Sequence, residues 1–171
     1  MSHPTIIAIV ATSIDGRIAL HANHPSDWTS PEDKAFMHDL LDRCDVIVVG
    51  NSTYKAAREP LSKRNCIVFT RSVTSTEQQR ENLLLCNPAG ADVKAVLQKY
   101  KTVAVLGGTQ IYTYFLDHNL LDELFVTIEP LVFGRGLCIF EAQMASGQRF
   151  ALASVKQLNQ SGSVLLHYRR V

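Results

Sequence analysis

The sequence lacks several features that define large classes of proteins. No apolar run approaches the roughly 20 residues that a membrane-spanning helix needs, so we expect no membrane partner. Lysine and arginine (17) nearly cancel aspartate and glutamate (16), leaving a net charge of +1. Without a strongly basic field, binding to nucleic acid is not expected. The start of the chain has neither the basic flank nor the cleavage site of a signal peptide, so we expect a cytoplasmic protein.

Cysteine is scarce and scattered. The four cysteines are Cys44, Cys66, Cys86 and Cys138. They form no Cys-x-x-Cys pair and have no His-x-x-x-His partner, so we expect buried, reduced thiols and no metal site. His21 and His24 lie three residues apart without an acidic partner nearby, which favours solvated loop histidines over metal ligands.

The remaining composition is that of an ordinary globular protein. Apolar residues make up 46% of the 171 residues, and charged residues make up 19%. At roughly 150 residues per domain, this length predicts one domain that spans residues 1–171. Such a domain buries about 70% of the surface that its unfolded chain exposes, so its stability requires neither a disulfide nor a metal.

Short apolar runs alternate with amphipathic segments along the chain. Runs at 5–12, 46–50, 66–70 and 123–129 are typical of strands, and the first three are continuous apolar runs typical of strands buried on both faces. Ser30 and Pro31 are typical of a helix N-cap and first helical residue, and the spacing from Val93 to Tyr100 predicts another helix. The segment 150–170 predicts two strands around a turn. We therefore predict an α/β fold with a mainly parallel central sheet, helices on both faces and a C-terminal antiparallel hairpin.

Two strands end in glycine-containing turns that suit an anion. In sheets of this kind, ligands bind outside the carboxyl ends of the strands. One strand ends at Gly50 and continues into Asn51 and Thr53, and another is followed by Gly107 and Gly108 before a helix. Glycine lets backbone N–H groups approach a pyrophosphate, and tight packing alone is the alternative reason for these glycines.

A third strand is followed by Thr70, Arg71 and Ser72. A guanidinium group with two hydroxyl groups suits a phosphate monoester, such as the 2′-phosphate of NADPH. The dinucleotide motif Gly-x-Gly-x-x-Gly and the phosphate-binding motif of nucleotide hydrolases are both absent, which disfavours those two classes.

Asp33 has two possible roles. Because it stands at the third position of a helix capped by Ser30, its carboxylate could complete a capping box. It also lies behind Trp28 and beside the apolar residues Phe36 and Met37. A carboxyl group in an apolar cleft has a raised pKa and can hold or orient a proton on a heterocycle, which is the functional alternative.

Taken in order, six segments of the chain resemble the dihydrofolate reductase superfamily. They most resemble the reductase domain of the bifunctional riboflavin-biosynthesis deaminase-reductase. The segments are Ala11–Ala19, Trp28–Asp33, Gly50–Tyr54, Thr70–Ser72, Leu106–Tyr112 and Asp122–Thr127. The resemblance covers nearly the whole chain and implies a dihydrofolate reductase-like fold and an oxidoreductase that transfers hydride from NADPH.

The resemblance also implies roles for individual residues. Asp33 would be the catalytic carboxylate, hydrogen-bonded by Thr127, while Ser26, Trp28 and Arg64 would contact the substrate. The implied cofactor-binding residues are Ala11, Thr12, Gly16, Arg17, Ile18, Gly50, Asn51, Thr53, Thr70, Arg71, Ser72, Gly107, Gly108, Thr109, Gln110 and Ile111.

The sequence departs from the riboflavin-type pattern at two positions. Leu41 and Asp42 stand where that branch usually has Arg-Ala, and Leu106 stands where it tends to have Glu. Both family contacts serve the phosphoribosyl group of the substrate, 5-amino-6-(5-phosphoribosylamino)uracil. Arg64 stands where the resembling folate reductases carry the arginine that binds the glutamate carboxylate of their substrate. It could equally bind a substrate phosphate and replace the missing charge, or be a solvated loop charge.

Three functions therefore stay open for this chain. The first is a riboflavin-type pyrimidine reductase, and the second is a stand-alone reductase of a pterin, dihydrofolate-like or other small carbonyl or imine substrate. The third is a non-catalytic NADPH-binding module.

The resemblance, together with an apolar strand from Val164 to Tyr168 that could form a sheet edge, predicts a homodimer.

Overall fold

The computed structural model describes residues 3–142 and 146–171. The helices are α1 (Pro31–Asp42), α2 (Asn51–Ala56), α3 (Arg58–Leu61), α4 (Val93–Leu97) and α5 (Thr109–Asp117). The strands are β1 (Thr5–Thr12), β2 (Arg17–Ala19), β3 (Val46–Gly50), β4 (Cys66–Phe69), β5 (Thr76–Arg80), β6 (Leu83–Cys86), β7 (Thr102–Leu106), β8 (Glu123–Ile128), β9 (Leu137–Cys138), β10 (Phe150–Gln157) and β11 (Val164–Arg170).

A mixed sheet forms the centre of the fold. Among the described residues its nine strands follow the order β10-β11-β8-β1-β7-β3-β4-β6-β5. The neighbours from β8 to β6 are parallel, whereas β11 runs antiparallel to β8 and β10, and β5 runs antiparallel to β6. The predicted α/β class, the mainly parallel sheet and the C-terminal hairpin are confirmed.

Helices cover both faces of this sheet, also as predicted. Side chains alternate between the two faces along each strand, so neighbouring residues of β1 join different cores. Ala8 packs in one core with Phe115 of α5, and Ile9 packs in the other with Leu40 of α1. The central strands need apolar residues at every position for this reason.

Several elements differ from the sequence-based expectations. The helix α4 ends at Leu97 rather than Tyr100, and both β5 and the small sheet formed by β2 and β9 were not predicted. The expectation that Val164–Tyr168 forms an edge was wrong, because β11 pairs with β8 on one side and β10 on the other. The edge strand at this end is β10.

The described residues contain no helix long and apolar enough to cross a membrane. The four cysteines are free; Cys66 and Cys86 are buried, while Cys44 and Cys138 are half-buried, which corrects the expectation that all four are buried. Within residues 3–142 and 146–171, no group of three or more His, Cys, Asp or Glu side chains could hold a metal ion.

Candidate active site

The sheet topology brings most of the predicted cofactor-binding residues to the carboxyl ends of neighbouring strands. Strands β8, β1, β7, β3 and β4 are consecutive parallel neighbours, so their carboxyl ends lie side by side. Ala11 pairs with Thr127 in the register of β1 and β8, and Thr12 pairs with Ile128. The glycine turns and the arginine loop follow the ends of β7, β3 and β4, so the three predicted anion-binding segments are neighbours.

The double-glycine turn requires glycine at both positions. Gly107 has φ 78° and Gly108 has φ 73°, a left-handed conformation that other residues rarely adopt. A Cβ atom on Gly107 would lie 2.6 Å from Oγ1 of Thr53, so this turn and α2 approach each other closely. The Gly107 N–H donates to the hydroxyl of Tyr112 at 3.1 Å, and that hydroxyl donates to the carbonyl of Ile9 at 2.6 Å.

Tyr112 therefore fixes the double-glycine turn against β1. It is 3% exposed, and burial raises the pKa of its hydroxyl to about 12, which keeps the group neutral. Since its N–H is already used, Gly107 serves as the bend of the turn. The N–H groups that follow, at Gly108, Thr109 and Gln110, precede the first intrahelical bonds of α5 and are suited to bind an anion.

The side chain of Thr109 faces the protein. Its hydroxyl donates to the carbonyl of Cys138 at 2.5 Å, and the residue is 8% exposed. Thr109 can therefore bind a ligand only through its backbone.

The loop after β4 is exposed at Arg71 and Ser72. The Thr70 hydroxyl donates to the hydroxyl of Ser72 and accepts the N–H of Ser72. This loop is ordered locally and leaves the guanidinium accessible.

The loop after β1 is attached to a second loop by Asp15. Its carboxylate accepts the N–H groups of Phe133 at 3.1 Å and Gly134 at 2.8 Å. A hydrogen bond from Ser13, together with these backbone N–H groups, lowers the pKa of Asp15 to about 2. The attachment therefore persists throughout the physiological pH range.

Arg17 points to the same second loop. Its guanidinium group lies 2.7 Å from Sγ of Cys138 and 3.4 Å from the carbonyl oxygen of Gly136. Gly16 and Ile18 flank it at the start of β2. The predicted loop residues thus lie together beside β9, near the N-terminus of α5.

Trp28 packs edge-on against Phe133, with ring centroids 5.1 Å apart. His24 contacts the same phenyl ring with centroids 5.4 Å apart, and His21 is exposed. Among the residues that the structure describes, neither histidine belongs to a group of three or more possible metal ligands. Ser26 is also exposed, and its carbonyl accepts the hydroxyl of Thr29.

Asp33 is a buried carboxyl group at the centre of this region. It lies in the first turn of α1 and is 7% exposed. Burial raises its pKa above the usual 3.8, the Thr127 side chain opposes this rise by a hydrogen bond, and the charge of Glu129 adds to it. Such a group retains its proton to a higher pH than a solvated carboxyl group does.

The structure shows whether the Asp33 carboxyl group takes part in the cap of α1. The Ser30 hydroxyl accepts the backbone N–H of Asp33 at 3.2 Å, which is one half of a capping box. The other half would be a bond from the Ser30 N–H to the Asp33 carboxylate. That N–H instead donates to Oε1 of Glu129 at 2.7 Å. The Asp33 carboxyl group is therefore not the cap partner.

Arg64 lies at the opposite end of α1. It is bound to Asp42 at 2.5 Å with a 21% exposed side chain, so it is neither a solvated charge nor an unpaired cation. The pair lines an open cavity of about 300 Å³ with His38, Pro60 and Lys63. Asp42 lies nine positions after Asp33 in α1, which corresponds to about 14 Å along the helix axis.

A comparison with known families agrees with this geometry. The family model described as dihydrofolate reductase matches residues 5–161. The chain belongs to the dihydrofolate reductase family. Members of this family include reductases, which supports the assignment of this chain as an oxidoreductase. The matched segment contains every site residue described above.

Three relatives span the chain almost completely. The uncharacterized protein YwjB of Bacillus subtilis is 28% identical over 99% of both chains. A solved structure from Shewanella sp. PV-4, assigned to riboflavin biosynthesis, has a TM-score of 0.76 and 24% identity over 98% of this chain and 99% of its own. Dihydrofolate reductase from Enterococcus faecalis, complexed with NADP(H) and RAB-propyl, has a TM-score of 0.69 and 21% identity over 98% of this chain and 97% of its own. The two solved structures establish the shared fold.

Sequence reasoning missed two residues that organise the site, Glu129 and the anchoring role of Tyr112. Glu129 follows an apolar strand, and a terminal glutamate there is typical of a solvated strand end. The Gly-Gly-x-x-Ile-Tyr spacing contains the signal for Tyr112, because a tyrosine one turn into α5 can reach back to the glycine turn.

Proposed function

We propose that this chain is an NADPH-dependent reductase that reduces a C=N or C=O bond of a small nitrogen heterocycle. The observation that carries the proposal is the Asp33 carboxyl group. It is buried, it has a raised pKa, and the helix cap does not use it. A carboxyl group of this kind can hold a proton on, or orient, a heterocycle that accepts hydride.

The donor set at the strand ends fits NADPH. Thr53 lies against the double-glycine turn, next to the first N–H groups of α5, and together these donors suit a pyrophosphate. Arg71, with Thr70 and Ser72, supports selection of the 2′-phosphate, because an exposed guanidinium binds a phosphate monoester strongly. When bound, NADPH supplies hydride from its nicotinamide ring.

The remaining residues position the reactants. Ala11 and Thr12 end the strand next to Thr127, so the nicotinamide is expected beside the Asp33 carboxyl group. Gly16, Arg17 and Ile18 belong to the loop proposed to cover the ring, and Asn51, Gly50 and Ile111 complete the wall between β3 and α5. Exclusion of water by this loop and by Trp28 strengthens the interactions of Asp33 with a bound substrate.

We rank a riboflavin-type pyrimidine, the phosphoribosylamino-uracil, as the first substrate. The fold is shared with the Shewanella protein, and Lys63 and Arg64 provide positive charge beside Asp42, which lies about 14 Å along α1 from Asp33. A pterin or dihydrofolate-like substrate is the second candidate. The Asp42–Arg64 pair favours it, because a carboxylate at 2.5 Å neutralises the cation that a phosphate would need.

A paired turnover assay tests this proposal. The protein is mixed with NADPH and either the phosphoribosylamino-uracil or dihydrofolate, and the loss of NADPH absorbance is followed. Oxidation with the pyrimidine is the expected result. Oxidation with dihydrofolate alone would reverse the ranking of substrates, whereas NADPH binding without oxidation by any candidate would favour the non-catalytic module.

We also propose a single domain over residues 1–171 that forms a cytoplasmic homodimer. The support for the dimer is the exposed edge strand β10, where Leu152 is 54% exposed and Val155 is 58% exposed. Exposed apolar residues on an unpaired edge favour pairing with a second copy.

A further inference from the structure

Glu129 is a buried carboxylate whose two oxygens are both engaged. It follows β8, is 2% exposed and accepts the Ser30 N–H through Oε1 at 2.7 Å. Its Oε2 accepts the hydroxyl of Ser163 at 2.5 Å. Two donors from segments far apart in sequence therefore converge on one side chain, which satisfies the hydrogen-bonding needs of this buried group.

The hydrogen bonds of Glu129 continue to the turn between β10 and β11. Asn159 donates its amide to Oγ of Ser163 at 3.0 Å and to Oε2 of Glu32 at 3.1 Å. Its amide oxygen accepts the N–H groups of Gly162 and Ser163. The network thus ties the first turn of α1 to the C-terminal hairpin, with Glu129 as its buried centre.

We propose that Glu129 is a positioning residue that takes the capping hydrogen bond of α1, so that the Asp33 carboxyl group stays turned toward Thr127 and the bound substrate. In a capping box, the side chain at the third helical position would accept this N–H. Asp33 stands at that position, and the capping-box pattern accepts aspartate as well as glutamate there. Because the Ser30 N–H already donates to Glu129, it is not available to the Asp33 carboxyl group.

The charge of Glu129 acts in the same direction as its geometry. The groups that face Asp33 are Thr127 and Glu129 from the β8 side, Lys34 from its own helix and Tyr112 from α5. Tyr112 is neutral, Lys34 and the Thr127 hydrogen bond favour the ionised carboxylate, and Glu129 disfavours it. Removing the charge of Glu129 therefore lowers the pKa of Asp33.

Two variants separate the geometric effect from the charge effect. Glu129→Gln keeps the shape and an acceptor for the Ser30 N–H but removes the charge, so we expect a lower Asp33 pKa and a pH–rate profile displaced to lower pH. Glu129→Ala also leaves the Ser30 N–H without a partner, so Asp33 is expected to turn to the cap. Turnover should then fall about tenfold or more, since small displacements of a reacting group have effects of this size.

The control is Glu123→Gln, which makes the same chemical change at the other end of the same strand. Glu123 bonds His167 at 2.6 Å and is not among the groups that face Asp33. The control should therefore leave both the Asp33 pKa and turnover unchanged.

The main readout is the Asp33 pKa, measured by NMR titration of isotope-labelled carboxyl carbons in the full-length protein. It does not require activity, so it remains decisive even if the proposed reductase function is wrong, which the wild-type turnover assay reports separately. Support for the proposal requires a lower Asp33 pKa in Glu129→Gln and a different Asp33 pKa in Glu129→Ala, where the carboxylate turns to the Ser30 N–H, with no change in the control. Equal Asp33 pKa values in Glu129→Gln and Glu129→Ala overturn it, because the charge alone then explains the shift, and so does an Asp33 pKa that is unchanged from wild type in both variants.

Discussion

Replacing Asp33 with asparagine distinguishes a functional carboxyl group from a helix cap, because the two roles predict different changes in stability. Loss of a capping partner costs about 1 kcal/mol. In this structure the bond from the Asp33 N–H to Ser30 is a backbone bond, so it survives the substitution. The Ser30 N–H is already satisfied by Glu129. We therefore expect Asp33→Asn to leave the cap intact.

The pH dependence of stability gives the sign of the remaining effect. Because the folded-state pKa of Asp33 is raised above 3.8, the folded protein holds this proton more tightly than the unfolded chain does. The resulting stabilisation is fully present below the unfolded-state pKa of 3.8, and it is lost as the pH rises through the folded-state pKa. As the pH rises the wild type loses this stabilisation, whereas Asp33→Asn has no titrating group at this position and does not.

Denaturant unfolding at acidic and neutral pH, with turnover measured on the same samples, checks this reasoning. Asp33→Asn should be at least as stable as wild type at neutral pH, and its relative advantage should disappear in acid. Turnover should fall by roughly 10²-fold or more, with NADPH affinity retained. A loss of about 1 kcal/mol at neutral pH with turnover preserved would identify Asp33 as the cap and refute the argument.

Three further predictions concern the periphery of the site. Arg71→Ala should weaken NADPH binding about tenfold or more and leave NADH binding unchanged, and equal losses in calorimetry would contradict the 2′-phosphate assignment. Asp42→Asn should free Arg64 and lower the KM for a phosphorylated substrate, whereas an unchanged KM would separate this cavity from substrate binding. Replacing Leu152 and Val155 by serine should convert a dimer into a monomer in light scattering. The same change at Val132, which is 64% exposed, should not, and a monomeric wild type would end the dimer proposal.

Local signals in the sequence were sufficient for the central strands and for α1. The apolar runs of β1, β3 and β7 must be strands buried on both faces, and the Ser-Pro pair marks a helix start without tertiary information. The strand β5, by contrast, consists of exposed residues with no alternation, so pairing with β6 is its reason for being a strand. Tertiary pairing also explains the small sheet of β2 and β9, whose strands are too short to give a pattern.

The cap of α1 shows why contacts between residues far apart in the sequence could not be predicted. The spacing from Ser30 to Asp33 correctly indicates the bond from the Asp33 N–H to the hydroxyl. It cannot indicate that the second capping bond goes to Glu129, which is 99 residues from Ser30. The burial of Glu129 in turn depends on Ser163, a residue in the last turn of the chain. The same limit applies to Arg64, whose partner Asp42 comes from a different element.

The most direct test of the central claim follows hydride from the cofactor to the substrate. NADPH labelled with deuterium at C4 of the nicotinamide is incubated with the protein and with the phosphoribosylamino-uracil or dihydrofolate, and the product is examined by mass spectrometry. Our account predicts that deuterium appears in the reduced product with the wild type and is strongly diminished with Asp33→Asn. Absence of label from every product, or equal transfer by the two proteins, would contradict it.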